Sequence, residues 1–318
     1  MKKPFFLLAF LVSHLFVQAQ DISIPDANFK TALLDLGIDT NTDLEIQVSE
    51  AEAIHYLDVT QKHIEDVTGL EYFINLDTLI LNQNPVATID VSHNVKLIML
   101  MVGFTDITTL DLSQNIHLKH LLCALTRLTT IDLSSCPALE KLYCHQSYMT
   151  ALDVSTNTHL IRLICEETAI QSLDLSTNIQ LKELDCSNTE ITTLELSNNT
   201  ALEELKCSNL SLSSLNLTQN NALIRVICTD NENLTSICIT TDQLALTAAT
   251  TNWQKDATAT WSTDCQLTTP TLAPTNTAAA KVVYKVYTIT GTEINESNAK
   301  DGVYIYIYTD GSRAKIAK

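Results

Sequence analysis

Leu181–Ala201 reads LKELDCSNTEITTLELSNNTA, and variants of this 21-residue unit follow one another without slippage from Leu76 to about Asn231. The leading leucine returns as Leu76, Leu97, Leu118, Leu139, Leu160, Leu181, Leu202 and Leu223. The sixth position is cysteine in Cys123, Cys144, Cys165, Cys186, Cys207 and Cys228. The nineteenth is asparagine in Asn94, Asn115, Asn157, Asn178, Asn199 and Asn220. A fixed period of this length defines a solenoid, because one turn can bury its apolar side only by stacking on the next.

Within a turn, Leu184 and Cys186 alternate with polar neighbours, which is the period of a strand. The second half, Thr192 to Ser197, alternates as well, so extended segments are expected on both sides of each turn, stacked about 4.8 Å apart. The asparagines fall where the chain must bend and leave backbone groups for a side-chain amide to satisfy. Thr105, Thr126, Ser147, Thr168 and Thr189 hold the matching bend of the first half, and Cys136 replaces asparagine once. The column of cysteines points inward, where a thiol packs as a small hydrophobe, and a straight column brings too few ligands together for zinc. Asp90, Asp111, Asp132, Asp153, Asp174 and Glu195 form a further column beside serines and read as a solvated acidic stripe.

The LxxLxL/CxxN/TxI core followed by xxLDLSxN resembles the leucine-rich repeat, and the resemblance covers residues 57–239. It implies a mainly β solenoid, a horseshoe of 21-residue turns with its strands on the concave face. Residues 20–56 form a small helical N-terminal cap, in which Pro25-Asp26 opens a helix, Phe29, Leu33 and Leu36 share its apolar face, and Gly37 ends it. The loop Asp39–Glu50 that follows resembles an EF-hand. Asp39, Asn41, Asp43, Gln47 and Glu50 stand at ligand positions, and Glu45 stands where the family uses a backbone carbonyl. Leu44 departs from the pattern, since glycine normally makes that sharp turn. Two readings stay open, a calcium site and a cap that keeps the loop without the ion.

Residues 1–19 carry Lys2 and Lys3, an apolar run from Phe5 to Phe16 and Val17-Gln18-Ala19, the pattern of a secretory signal peptide. Residues 240–265 break the repeat and form a C-terminal cap, for which a Cys238–Cys265 disulfide suits an exported protein. A Thr/Pro/Ala-rich linker spans 266–281. Residues 282–318 contain two strand–turn patterns ending in Gly291 and Gly311, then basic Lys315 and Lys318. This segment resembles the sorting domain of the type IX secretion system of Bacteroidota, which implies secretion machinery as a partner and a secreted or outer-surface location.

The chain has 19 basic and 37 acidic residues, and loss of Lys2 and Lys3 with the signal segment leaves 17 against 37, a net charge of −20. That balance argues against nucleic acid and anionic lipid as partners. No HExxH, phosphate-cradling glycine loop or isolated carboxylate pair appears, so no enzyme is expected.

Comparison of the turns with one another locates a candidate site. The outward positions of late turns look like ordinary surface: Glu183, Asp185, Ser187 and Asn188, then Glu204, Lys206, Ser208 and Asn209. Early turns instead place Ile80, Met101, Leu122, Tyr143 and Ile164 in one outward column, with Met99, Phe104, His120, Lys141, His145 and Arg162 around it. These residues are the expected contact surface for a protein or glycan, held by a monomer. The alternatives are that a cap folds over the row and buries it, and that the solenoid is a calcium-stiffened structural spacer.

Overall fold

The computed structural model describes residues 20–265 and the backbone of the strands between 283 and 317. The signal segment 1–19 and the linker 266–281 lie outside the described residues. The chain divides into two compact units at Gln266.

In the first unit the fold is a mainly β solenoid of 21-residue turns. Each turn contributes one short strand: β1 Tyr56–Asp58, β2 Thr78–Ile80, β3 Met99–Met101, β4 His120–Leu122, β5 Lys141–Tyr143, β6 Arg162–Ile164, β7 Glu183–Asp185 and β8 Glu204–Lys206. The cap strands are β9 Leu215–Asn216, β10 Arg225–Cys228, β11 Ser236–Cys238, β12 Trp253–Lys255 and β13 Thr260–Ser262. β1 to β8, then β10 and β12, form one ten-stranded parallel sheet. Its register is unbroken, so that Leu79, Leu100, Leu121, Leu142 and Leu163 lie directly beside one another. All five are fully buried.

The second half of each turn differs from the sequence expectation. Only β9, β11 and β13 at the C-terminal end pair there, as a three-stranded sheet. In the middle turns a single backbone hydrogen bond joins neighbours on this side, such as Arg127 N–H to the Ile107 carbonyl at 3.0 Å and Glu190 N–H to the Ile170 carbonyl at 3.0 Å. One bond per turn makes no ladder. The aspartate column works instead as turn caps: Oδ1 of Asp90, Asp111, Asp132, Asp153 and Asp174 accepts the N–H of the serine two residues on, at 2.8–2.9 Å. The serine hydroxyls and N–H groups hold the carboxyls of Asp90, Asp132, Asp153 and Asp174 below the ordinary carboxylate value.

The asparagine column bonds turn to turn. Asn178 Nδ2 donates to the carbonyls of Val154 at 3.0 Å and Asn157 at 2.9 Å, 24 and 21 residues earlier. Asn115, Asn157, Asn199 and Asn220 repeat the same pair of contacts. Where Cys136 replaces asparagine, its thiol reaches the same two carbonyls at 3.9 and 3.7 Å. At the C-terminal end, Gln243 of the helix Thr241–Ala249 takes the next rung, donating to Leu217 and Asn220 at 3.1 and 2.9 Å. The opposite bend is closed within each turn by Thr105, Thr126, Ser147, Thr168 and Thr189, whose hydroxyls donate to the carbonyl three residues back at 2.6–2.9 Å.

The N-terminal cap shares the solenoid core, since Phe29, Leu33 and Ile46 are buried in one cluster with Leu57, Leu70 and Phe73. Asp26 caps helix α1 (Ala27–Asp35), accepting from Asn28 and Phe29 N–H through Oδ1, while Oδ2 accepts Glu65 and Asp66 N–H from the first turn. Leu36, expected on the apolar face, is 50% exposed because the helix stops at Asp35 and Gly37 turns away at φ 71°. The seven cysteines from Cys123 to Cys228 are buried free thiols, and burial pushes Cys123 up to about 12. The second unit is a four-stranded antiparallel sheet with β14 Val283–Thr288 and β16 Val303–Tyr308 central, flanked by β15 Glu293–Ile294 and β17 Arg313–Ala317.

Replacing Asn178 by leucine removes two side-chain hydrogen bonds between turns, while the Val154 and Asn157 carbonyls keep the N–H groups of Asn157 and Leu160. Urea unfolding of Asn178→Leu should show a loss of about 1–3 kcal/mol, at 0.5–1.5 kcal/mol per bond. Asn178→Cys, which copies the Cys136 rung, should lose less than half of that.

Candidate functional site

The sheet has one face on the core and one turned outward, and the parallel register lines up the outward side chains in rows. Ile80, Met101, Leu122, Tyr143 and Ile164 form one row across β2–β6. Met99, His120, Lys141 and Arg162 form a second row beside it, two residues earlier in each strand. Ile80, Met101, Leu122 and Tyr143 are half-buried, and Ile164 is 9% exposed. None of the five joins the core cluster, and the N-terminal cap packs its apolar residues into that core instead. Among the described residues, Ile80, Met101, Leu122 and Tyr143 are therefore sheet surface, and Ile164 at the end of the row is buried.

Phe104 lies at the edge of this face, 52% exposed and with φ 56°. The same left-handed bend occurs every turn, at Gln83, Phe104, Leu125, Gln146, Glu167, Asn188, Asn209 and Asp230. Late turns use asparagine and aspartate there, which tolerate positive φ, whereas phenylalanine and leucine do so at a cost of about 1–3 kcal/mol. A bulky residue held in that conformation and left in solvent marks the early turns a second time.

Arg162 is locked in place. Its guanidinium donates to the Tyr143 hydroxyl at 3.0 Å and pairs with Glu183 on the next strand. The Tyr143 hydroxyl, with burial opposing and Glu183 assisting, keeps the Arg162 pKa above its ordinary value. His120 lies 3.8 Å from Glu140, and burial together with Lys141 pulls its pKa down. His145 sits beyond Tyr143, its Nδ1 buried without a hydrogen-bond partner and its pKa lowered by burial.

One part of the site escaped the sequence reading. Asp185, taken there as ordinary surface, is only 1% exposed. It continues the apolar row, paired in register between Ile164 and Lys206. The Lys206 ammonium meets Asp185 Oδ2 at 2.9 Å, and the Ser187 N–H donates to Oδ1 at 3.2 Å. Glu166 adjoins Asp185, and burial plus the Asp185 charge raise its pKa. A carboxylate and a lysine one turn apart in an otherwise apolar column was the available signal. A separate open groove of about 1230 Å3 runs along the bend edge, with Arg127, Tyr148 and Glu167 in its wall.

The Asp39–Glu50 loop has the expected turn, with Leu44 at φ 68°. Its acceptors are filled by its own donors. Asp39 accepts Thr42 and Leu44 N–H, at 2.7 and 2.9 Å. Glu50 accepts the Thr40 N–H, the Thr40 hydroxyl and the Gln47 N–H, at 2.6–3.0 Å. The amide nitrogens of Asn41 and Gln47 face Asp43 at 2.8–3.2 Å, and Glu45 pairs with Lys30 at 2.7 Å. These carboxylates keep further lone pairs, so the loop closes on itself without an ion while retaining the oxygen spacing of a calcium site. Among the described residues no group of three or more acidic, histidine or cysteine side chains comes together as a metal set. Of the two open readings, these hydrogen bonds support the self-capped loop. Cys238 and Cys265 are thiols in contact; burial, with the Cys265 hydrogen bond, pushes Cys238 up to about 12.

No family model and no curated protein matches the chain. Solved structures do. A leucine-rich repeat protein of Leptospira interrogans matches with TM-score 0.51 and 15% identity, over 67% of this chain and 68% of its own. Internalin C2 of Listeria monocytogenes matches with TM-score 0.50 and 17% identity, over 70% and 98%. The functional domain of another Listeria internalin, described as including a cysteine ladder, shares 25% identity over 70% and 68%, with TM-score 0.39. The fold is that of leucine-rich repeat proteins. Among the described residues no helix is long and apolar enough to cross a membrane.

If the loop is self-capped, calcium and chelator should give the same melting temperature. Glu50→Gln should cost about 1–3 kcal/mol at pH 7 through lost charge-assisted bonds. Burial acts to raise the Glu50 carboxyl, but the Gln47 and Thr40 donors outweigh it and hold the pKa low. That stability is present above the unfolded glutamate value, about 4.3, and fades as pH falls through the depressed folded value. Thermal melts across pH 2–7, with and without the ion, check both statements; a calcium-dependent rise abolished by Glu50→Gln would restore the metal site.

Proposed function

We propose that this is a non-enzymatic binding protein of the cell exterior that holds its ligand on the outward sheet face of turns Ile80 to Ile164. The observation that carries the reading is the in-register row Ile80, Met101, Leu122, Tyr143 and Ile164, its first four members left partly in solvent on a chain of net charge −18. Four strand steps make the row roughly 19 Å long. Apolar patches of this kind favour a partner with apolar area to bury, so a protein is the better fit and a glycan the second. Tyr143 and Arg162 supply residue types that dominate binding energies, and their mutual hydrogen bond removes part of the ordering cost.

An exported location is part of this proposal and rests on the signal-like residues 1–19 and the sorting-domain resemblance of 282–318. An oxidising exterior would also join Cys238 to Cys265, whose thiols already touch. The purely structural reading places a stiffening ion at the Asp39–Glu50 loop, whose hydrogen bonds already close it without one.

The test is the double change Leu122→Asp with Tyr143→Asp, screened beside the parent against protein and glycan libraries using the mature chain. Binding present in the parent should fall at least 100-fold, while the melting temperature changes by no more than a few degrees. A folded double variant that binds as the parent does would end the assignment.

A further inference from the structure

The apolar row stops at Ile164, and the two positions that continue it are charged. Asp185 is buried beneath the Lys206 ammonium, which neutralises it. Glu166, on the strand extension beside it, is half-buried and makes no ion pair within 4 Å among the described residues. The local count is therefore two carboxylates against one ammonium, with His145 held neutral by burial and its Nδ1 unpartnered. Burying an uncompensated charge is costly unless something of opposite sign arrives.

The opposite edge of the same row has the reverse sign. His120, Lys141 and Arg162 line up there, and Lys141 makes no ion pair among the described residues. The face is thus an apolar strip with the Lys141 ammonium on one side, between His120 and the Glu183-bound Arg162, and a carboxylate at its far corner. That distribution dictates the chemistry of what can lie across it.

We propose that Glu166, backed by Asp185, receives the ammonium or guanidinium of a lysine or arginine side chain on a protein partner whose apolar residues cover the row from Ile80 to Ile164. This rests on the reading of the sheet face as a binding surface and adds which partner it takes. A protein segment is preferred over a free polyamine because the adjoining strip needs apolar groups at fixed spacing from the charge.

The arrangement also sets the pH dependence. The groups around Glu166 are Asp185 and Lys206 on the following turns, Glu167 next in sequence and His145 on the preceding turn, with Arg225 beyond Lys206. Protonation of Glu166 removes the surplus negative charge, and protonation of His145 adds a positive one. Both weaken attraction for a cation, so affinity falls as pH falls. Stability moves the other way. A glutamate whose folded pKa is raised is under no penalty below the unfolded value of about 4.3, and bears the full penalty above its folded value.

The experiment pans a random dodecapeptide display library on the mature chain at pH 7.5, with subtraction on the Leu122→Asp/Tyr143→Asp variant. Selected peptides should carry lysine or arginine beside leucine, isoleucine or phenylalanine. For one synthetic peptide, replacing its basic residue by norleucine should weaken binding about tenfold, and Glu166→Gln about as much. Parent affinity should drop as pH falls through the raised Glu166 value, and Glu166→Gln should keep only the part of that drop that His145 supplies; the variant should melt higher than the parent at pH 7.5 but not at pH 4. The norleucine arm needs no protein variant and so does not depend on how Glu166→Gln folds. Row-dependent peptides without basic residues, or equal binding by the norleucine peptide, would overturn this inference and leave the sheet-face reading standing. Failure to select any row-dependent peptide would sink both. Spermidine binding as tightly as the peptide would overturn the choice of a protein partner.

Discussion

The structure depends on a side-chain amide that bonds one turn to the turn before. Asn178 is 0% exposed and spans to two carbonyls of the preceding turn through a single nitrogen. Its Oδ1, like those of Asn94, Asn115, Asn157, Asn199 and Asn220, is buried with no partner. Each rung thus leaves its own oxygen without a partner and gives a second hydrogen bond to two carbonyls that already accept a backbone N–H, Val154 from Asn157 at 3.0 Å and Asn157 from Leu160 at 3.0 Å, so what it adds is the tie from turn to turn. The ladder tolerates one weak rung at Cys136, whose sulfur contacts are 3.7 and 3.9 Å. It ends on Gln243, one carbon longer and delivered by a helix, which closes the last turn without another repeat.

Because each rung fixes its neighbours 21 residues apart, every position in the turn becomes a straight row. Buried rows hold the core together and can vary little. Outward rows are free to vary turn by turn, and this is where the chain departs from its own consensus. Ile80 to Ile164, the strained bend at Phe104 and the Asp185–Lys206 pair are all such departures. The site follows from the register: without the ladder these residues would be scattered points along the chain.

The inward half of this account was legible in the residues. The leucine, cysteine and asparagine columns each name a burial state, and the structure places them as that periodicity demands. The middle turns lack the second strand because the alternation at Thr192–Ser197 reports burial, not pairing, and an aspartate accepting from the serine two residues on turns the backbone out of a ladder. Asp185 was misread because a charged residue at an outward position normally signals solvent. Its burial depends on Lys206 one turn later, a relation between columns and not within a turn. The left-handed bend was hidden for the opposite reason: asparagine advertises positive φ at Asn188 and Asn209, but Phe104 and Leu125 carry no such mark. In the Asp39–Glu50 loop, ligand spacing was visible and the direction of the amides was not.

The central claim is that the row from Ile80 to Tyr143 faces solvent while the columns beneath it are closed. Methionine separates the two directly, since Met99 and Met101 lie on the outward face, half-buried, and Met149 is 0% exposed. Brief peroxide oxidation of the native mature protein, read by peptide mass spectrometry, measures all three in one sample. Met99 and Met101 should form sulfoxide at least tenfold faster than Met149, with the difference disappearing in urea. Equal protection of all three in the native state would show the face to be covered and contradict the account.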